Sequence, residues 1–198
     1  MSMFCYQCQE AARGTGCTIQ GVCGKLPETA KLQDLLLHTI KSIAFFSKKL
    51  RASGSITTEI DFYITNSLFM TITNANFDDD AIIVVIKKGL EIRDTLWSLA
   101  KEKGLEIENT FSTYLTSTNE LVTKEQMISF AEKVGVLRTE NEDIRSLREL
   151  VIYGLKGLSA YVEHAFNLGK QNTEIFKFIE KALVEVDNPA NGADELVA

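Results

Sequence analysis

The chain has 198 residues, 45% of them hydrophobic, with 21 Lys plus Arg against 27 Asp plus Glu and a formal net charge of −6. A chain of that size, one large domain or two small ones, buries a core without help from metal or disulfides, and its acidic balance argues against nucleic acid or an anionic membrane as a partner. No apolar run reaches the length needed to span a bilayer, and the only prolines, Pro27 and Pro189, leave room for long helices.

All four cysteines fall in the first two dozen residues: Cys5, Cys8, Cys17 and Cys23. Thiolates are soft anionic ligands, and four of them can enclose zinc or an iron–sulfur cluster. The close pair Cys5 and Cys8 can present both sulfurs on one side of a turn. Gly14, Gly16, Gly21 and Gly24 let the remaining two fold back over it and let backbone N–H groups approach sulfur. Two disulfides would need an oxidising compartment, and Met1-Ser-Met-Phe4 has neither the basic start nor the apolar core of a signal peptide. Structural zinc sites usually show two tight pairs, and here only the first pair is tight. Unrelated buried thiols would not crowd so closely. An iron–sulfur loop leads, with zinc and disulfides left as rivals, and a reducing cytoplasm is the simplest home.

Pro27 suits a first helical turn, where its missing N–H would have no partner. Leu32, Leu35, Leu36, Ile40, Ile43 and Leu50 then recur at helical spacing as far as Gly54. A second helix is expected over Thr57 to Thr71, with Ile60, Ile64, Leu68 and Ile72 on one face. Thr73 to Asp78 reads as a turn and cap. The β-branched run Ala81 to Ile86 is ambiguous alone. Ile82, Val85, Ile86, Gly89, Ile92, Leu96 and Leu99 nevertheless continue one stripe to Gly104, too long for a strand. Trp97 on that helix reads as core packing. Leu105 to Val122 lacks a period and reads as an irregular connection. Thr123 and Gln126 have the capping-box form and open a short helix through Lys133. Asn141 begins the longest helix, with an inward stripe predicted at Ile144, Leu147, Val151, Gly154, Leu158, Tyr161, Ala165 and Leu168. Gly154, Gly157 and Ala160 predict close approach by another element, because the glycines weaken the helix itself. Thr173 to Val186 forms a last helix with Ile175, Phe178, Ile179 and Leu183 inward.

Other chemistry is thin. His38 and His164, the two histidines, read as surface or satisfied core residues. Asp78-Asp79-Asp80 and the group Glu140, Glu142 and Asp143 read as complements to helix N-termini. No phosphate loop, hydrolase triad or paired-carboxylate motif stands out.

These residues resemble the N-terminal domain of the hybrid cluster proteins, also known as prismane proteins or hydroxylamine reductases. The matching text includes Phe4-Cys5-Tyr-Gln-Cys8-Gln-Glu, Gly16-Cys17-Thr, Gly21-Val-Cys23-Gly24-Lys25 and Glu28-Thr-Ala-Lys-Leu-Gln-Asp-Leu-Leu36. Thr71-Ile-Thr-Asn-Ala-Asn76, Thr139-Glu-Asn-Glu-Asp143, Arg145-Ser-Leu-Arg-Glu-Leu150, Tyr153-Gly-Leu-Lys-Gly157 and Ala160-Tyr-Val-Glu-His164-Ala continue it. The resemblance implies that Cys5, Cys8, Cys17 and Cys23 bind a cubane cluster. The compact spacing is similar to members holding [4Fe–4S], whereas longer gaps go with [2Fe–2S]. It implies an all-α fold, two three-helix bundles set roughly crosswise, in keeping with six helices read from the pattern. The expected organisation is a cluster loop over 1–28, a helical domain over 29–186 and the start of a next segment over 187–198. The implied role is electron transfer, from an external donor to a hybrid cluster that reduces hydroxylamine or nitric oxide. Family members are more than twice as long, and the hybrid cluster takes its ligands from later domains. With no cysteine after Cys23 that centre is not expected here, and the chain reads as a truncated first domain. Its alternative role is a structural metal-binding domain, with self-association through a face that missing C-terminal domains would cover.

Overall fold

The computed structural model describes residues 2–105 and 120–197, and among these residues the fold is all-α. The helices are α1 (Pro27–Arg51), α2 (Thr58–Met70), α3 (Asp79–Glu102), α4 (Lys124–Ala131), α5 (Glu142–Asn167), α6 (Thr173–Val186) and the short α7 (Ala193–Val197). Their starts are written in the sequence. Pro27 occupies the first turn of α1. The Asp78 and Asn141 side chains accept from the backbone N–H of Ala81 and Ile144, and Thr123 and Gln126 complete a reciprocal capping box. Each such contact satisfies a donor that the first helical turn would otherwise leave open. Of the expected irregular connection, 106–119 lies outside the described residues.

α1 is the axis of the molecule. Leu32, Leu35, Leu36, Ile40, Ile43, Phe46 and Leu50 are fully enclosed, because α1 packs against α2, α3, α4 and α6. α2 lies chiefly against α5, and α5 also touches α6 and α7. Two predicted stripes are out of phase. α5 buries Ile152, Leu155, Lys156, Ser159 and Val162, while Gly154, Tyr161 and Leu168, expected inside, are exposed. On α6 it is Phe176 that is buried, and Phe178 is exposed. Both helices carry apolar residues on more than one side, so spacing alone does not tell which side faces α2 or α1.

α3 passes close to α1 and α2 at Gly89. A methyl group there would stand 2.2 Å from the Tyr63 hydroxyl and 2.7 Å from a Thr39 methyl. That hydroxyl is already committed, donating to the Val85 carbonyl at 2.8 Å. Gly89→Ala gains helix propensity of about 1 kcal/mol but overpacks a junction of α1, α2 and α3, which typically costs about 1–3 kcal/mol. The expected net result is a lower urea midpoint at unchanged m-value; an unchanged or raised midpoint would show that Tyr63 yields freely.

Candidate metal centre

The N-terminal loop is tied into a short antiparallel pairing before α1 begins. Cys5 and Cys17 exchange backbone hydrogen bonds, Cys5 N–H to the Cys17 carbonyl at 3.1 Å and Cys17 N–H to the Cys5 carbonyl at 2.8 Å. Residues opposed in this way present their side chains on the same face. Ser2 and Met3 extend the pairing to the Thr18 carbonyl. The return of the chain to Cys17 needs glycine: Gly16 has φ of 149°, and a Cβ there would press on the Phe4 ring at 2.8 Å. The N–H of Ala12 points at the Cys17 sulfur at 3.4 Å, the kind of contact that stabilises thiolate character. Beyond it the chain reverses again, Gly21 N–H meeting the Lys25 carbonyl at 2.8 Å.

The four sulfurs have different settings. Cys17 is buried, Cys5 and Cys8 are half-buried, Cys23 is exposed, and all are free thiols. Cys17 packs with Met3 and Ala30 in a small apolar cluster separate from the main core, with Cys5 and Ala12 against it. The structure thus brings Cys5 and Cys17 together across one isolated antiparallel bridge. Among the described residues no three His, Cys, Asp or Glu side chains stand as ligands of a single ion. His38 is buried against the Phe130 ring, and His164 is exposed.

Beneath the loop lies a charged cluster that sequence reasoning missed. Lys25 and Lys156 are only 2% and 1% exposed. Lys25 Nζ donates to Gln33 Oε1 at 2.7 Å, and Lys156 Nζ to the Thr71 carbonyl at the end of α2 at 3.2 Å. A small cavity between loop and helices is lined by Cys5, Tyr6, Gln7, Lys25, Gln33, Asp34 and Glu149, among others. Burial pushes the Cys5 thiol up, while Lys25, the Gln7 backbone N–H and Lys156 pull it down and Asp34 adds to the rise. Lysine is rarely buried, and no spacing in the sequence marks these two. Their hydrogen-bond partners are neutral, while the Glu149 and Asp34 carboxyls act on Lys156 from nearby, so the cluster beneath the loop carries charges of both signs. Four thiol donors in nineteen positions, an N–H aimed at sulfur and buried cations nearby all fit an anionic iron–sulfur group.

Asp34 gives this cluster a pH signature. Burial first, then the Glu149 carboxylate, raise its carboxyl to about 7 against the pull of Lys156, Lys25 and Lys41. The folded state therefore holds a proton that the unfolded chain has released, and stability from this group falls as pH rises from about 4 to 7. Lys156, lowered to about 8 chiefly by burial, acts in a separate window, where stability rises as pH climbs toward the usual lysine value. Asp34→Asn is expected to leave the melting temperature unchanged below pH 4 and to raise it above pH 7 by more than about 1 kcal/mol equivalent. Thermal unfolding across that range checks it, and parallel curves for the two proteins would contradict it.

Comparison with known proteins bears on the same residues. The sequence profile of the Prismane/CO dehydrogenase family matches residues 3–197. The chain is 50% identical over 197 residues to the hydroxylamine reductase of Bacteroides fragilis (strain ATCC 25285), covering 100% of this chain and 35% of that protein. It is 52% identical over 197 residues to the hydroxylamine reductase of Bacteroides thetaiotaomicron, again with 100% and 35% covered. With the hydroxylamine reductase of Desulfitobacterium hafniense (strain Y51) the identity is 47% over 199 residues, covering 100% and 36%. The chain therefore spans about a third of the length of the curated relatives it matches.

Proposed function

The chain belongs to the Prismane/CO dehydrogenase family, and from that premise we propose that it is the electron-transfer portion of a hybrid cluster protein, with Cys5, Cys8, Cys17 and Cys23 as ligands of a [4Fe–4S] cluster. On this reading residues 1–28 are the cluster loop, and 29–186 are a helical scaffold of two three-helix bundles. Residues 187–198 lead toward the downstream portion of the longer relatives. The observation that carries the reading is the pair of buried lysines under a loop holding four free thiols. The cluster, when bound, supplies reversible one-electron storage. The chain's own residues do the rest. Lys25 and Lys156 offset the negative charge of four thiolates, and the Ala12 N–H donates to Cys17. Met3 and Ala30 keep water from the Cys17 side. Cys23 is exposed, with Ile19 and Val22 exposed near it in the loop, so an external electron donor would approach there. The recipient would be the hydroxylamine-reducing centre in the remainder of such a protein. No described helix is long and apolar enough to cross a membrane, and free thiols suit a reducing cytoplasm.

Anaerobic reductive titration tests the role. The expected result is visible absorption that bleaches with about one electron per chain and returns on reoxidation. A metal-loaded protein whose spectrum ignores reductant would assign the metal a structural part only.

A further inference from the structure

α5 is built for a neighbour that the described residues do not supply. Gly154 and Gly157 sit one turn apart in its interior, where glycine weakens a helix, and their smallness serves only if something comes close. Among the described residues nothing does: a Cβ at either position would meet no atom within 4 Å. The buried residues of α5 belong to the side that packs on α2. Elsewhere on the helix Leu150 is 67% exposed and Tyr161 79%, and Tyr153 and Leu168 are exposed too. Leu150, Gly154, Gly157, Tyr161 and His164 succeed one another by alternate steps of four and three, the spacing of a helix–helix seam.

The seam runs into the cysteine loop. At its N-terminal end a groove of about 200 Å³ is lined by Tyr6, Gln7, Ser146, Glu149, Leu150 and Tyr153. Gln7 Oε1 is buried there without a hydrogen-bond partner, and such a group favours an occupant that supplies one. Tyr6 and Gln7 are also the two residues between Cys5 and Cys8. The relatives continue for roughly two thirds of their length beyond the region this chain matches. Close to its last described residue the chain already lies against this helix, because α7 packs on α5.

We propose that the α5 seam from Leu150 to Tyr161, together with Tyr6 and Gln7, is the docking surface for a helix from the polypeptide downstream of the matched region in the longer relatives. The occupant presents small or apolar residues to Gly154 and Gly157, and at one end a hydrogen-bond donor to Gln7. This rests on the reading of the chain as one part of a longer redox protein. It adds the face through which that part meets the rest, at the turn between two proposed ligands. Electrons leaving the loop would cross this contact.

Photo-crosslinking in an intact relative tests it, and the readout does not depend on any cluster. The crosslinker p-benzoylphenylalanine is placed in the Bacteroides fragilis hydroxylamine reductase at the position aligned with Tyr161, and separately at that aligned with Tyr153. Peptide mapping is expected to find the crosslink in sequence beyond the matched third. A crosslink to a second copy, to the positions aligned with 106–119 or to another helix of the matched third would overturn the proposal, and so would none from either position. In this chain, Tyr161→Lys is expected to shift the melting temperature by no more than a degree or two, since the side chain is exposed. A larger fall would mean that the seam serves the fold of this chain, which also overturns the proposal.

Discussion

Cys17→Ser is expected to abolish iron retention while leaving the helices folded. The two effects separate because Cys17 belongs to a satellite cluster with Met3 and Ala30, apart from the core around α1. A serine oxygen can still accept from the Ala12 N–H that now points at sulfur, so the cost to the fold is on the order of 1 kcal/mol. Ligation is another matter. An alcohol stays protonated where a thiol gives up its proton, and a hard oxygen is a poor substitute for thiolate on iron. Loss of one of four ligands should lower iron retention at least about tenfold, given that even outer partners of a metal ligand matter about 10–100-fold. Iron analysis and far-UV circular dichroism on the same sample read both halves. Full iron content in the variant would remove Cys17 from the ligand set, and collapse of the helices would mean that the loop organises the fold.

The second large effect is expected at Arg51, far from the cysteines. Its guanidinium at the end of α1 donates to Asp61 on α2, and its Nε to Glu180 on α6 at 2.7 Å. Both carboxylates are nearly buried, at 7% and 3% exposed. The planar guanidinium serves two acceptors in different directions at once, which a lysine ammonium does poorly. Arg51→Met leaves two buried anions without their cation, a change that typically costs about 3–5 kcal/mol. Urea unfolding should show that loss, with Arg51→Lys recovering only part of it. The triple variant Arg51→Met, Asp61→Asn, Glu180→Gln should be less damaged than Arg51→Met alone, because it buries no unpaired charge. If the triple variant is the worse of the two, the damage comes from lost packing.

Among the described residues, α1, α3, α4 and α5 are visible in the sequence because each begins with a local signal, Pro27, Asp78, Thr123 and Asn141, ahead of an apolar period, and α2 and α6 are visible from the period alone. The direction in which two of them turn was not visible. Gly154, Tyr161 and Leu168 form as regular a stripe as the residues that are buried, and Phe178 is as apolar as Phe176. The side chosen depends on α2 and α1, which a local pattern does not contain. The cysteine loop divides in the same manner. The four candidate donors stand out from spacing and glycine content, whereas the pairing of Cys5 with Cys17 depends on a contact between segments twelve residues apart. Lys25, Asp34 and Lys156 were missed because charged residues belong outside by default, and only the assembled fold reveals the exception.

The central claim is that the amino-terminal thiols hold an iron–sulfur group, and the most direct measurement is elemental. Iron, acid-labile sulfide and zinc are counted per chain in protein purified and kept without oxygen. The account predicts roughly four iron and four sulfide per chain with negligible zinc. One zinc per chain with neither iron nor sulfide would contradict it.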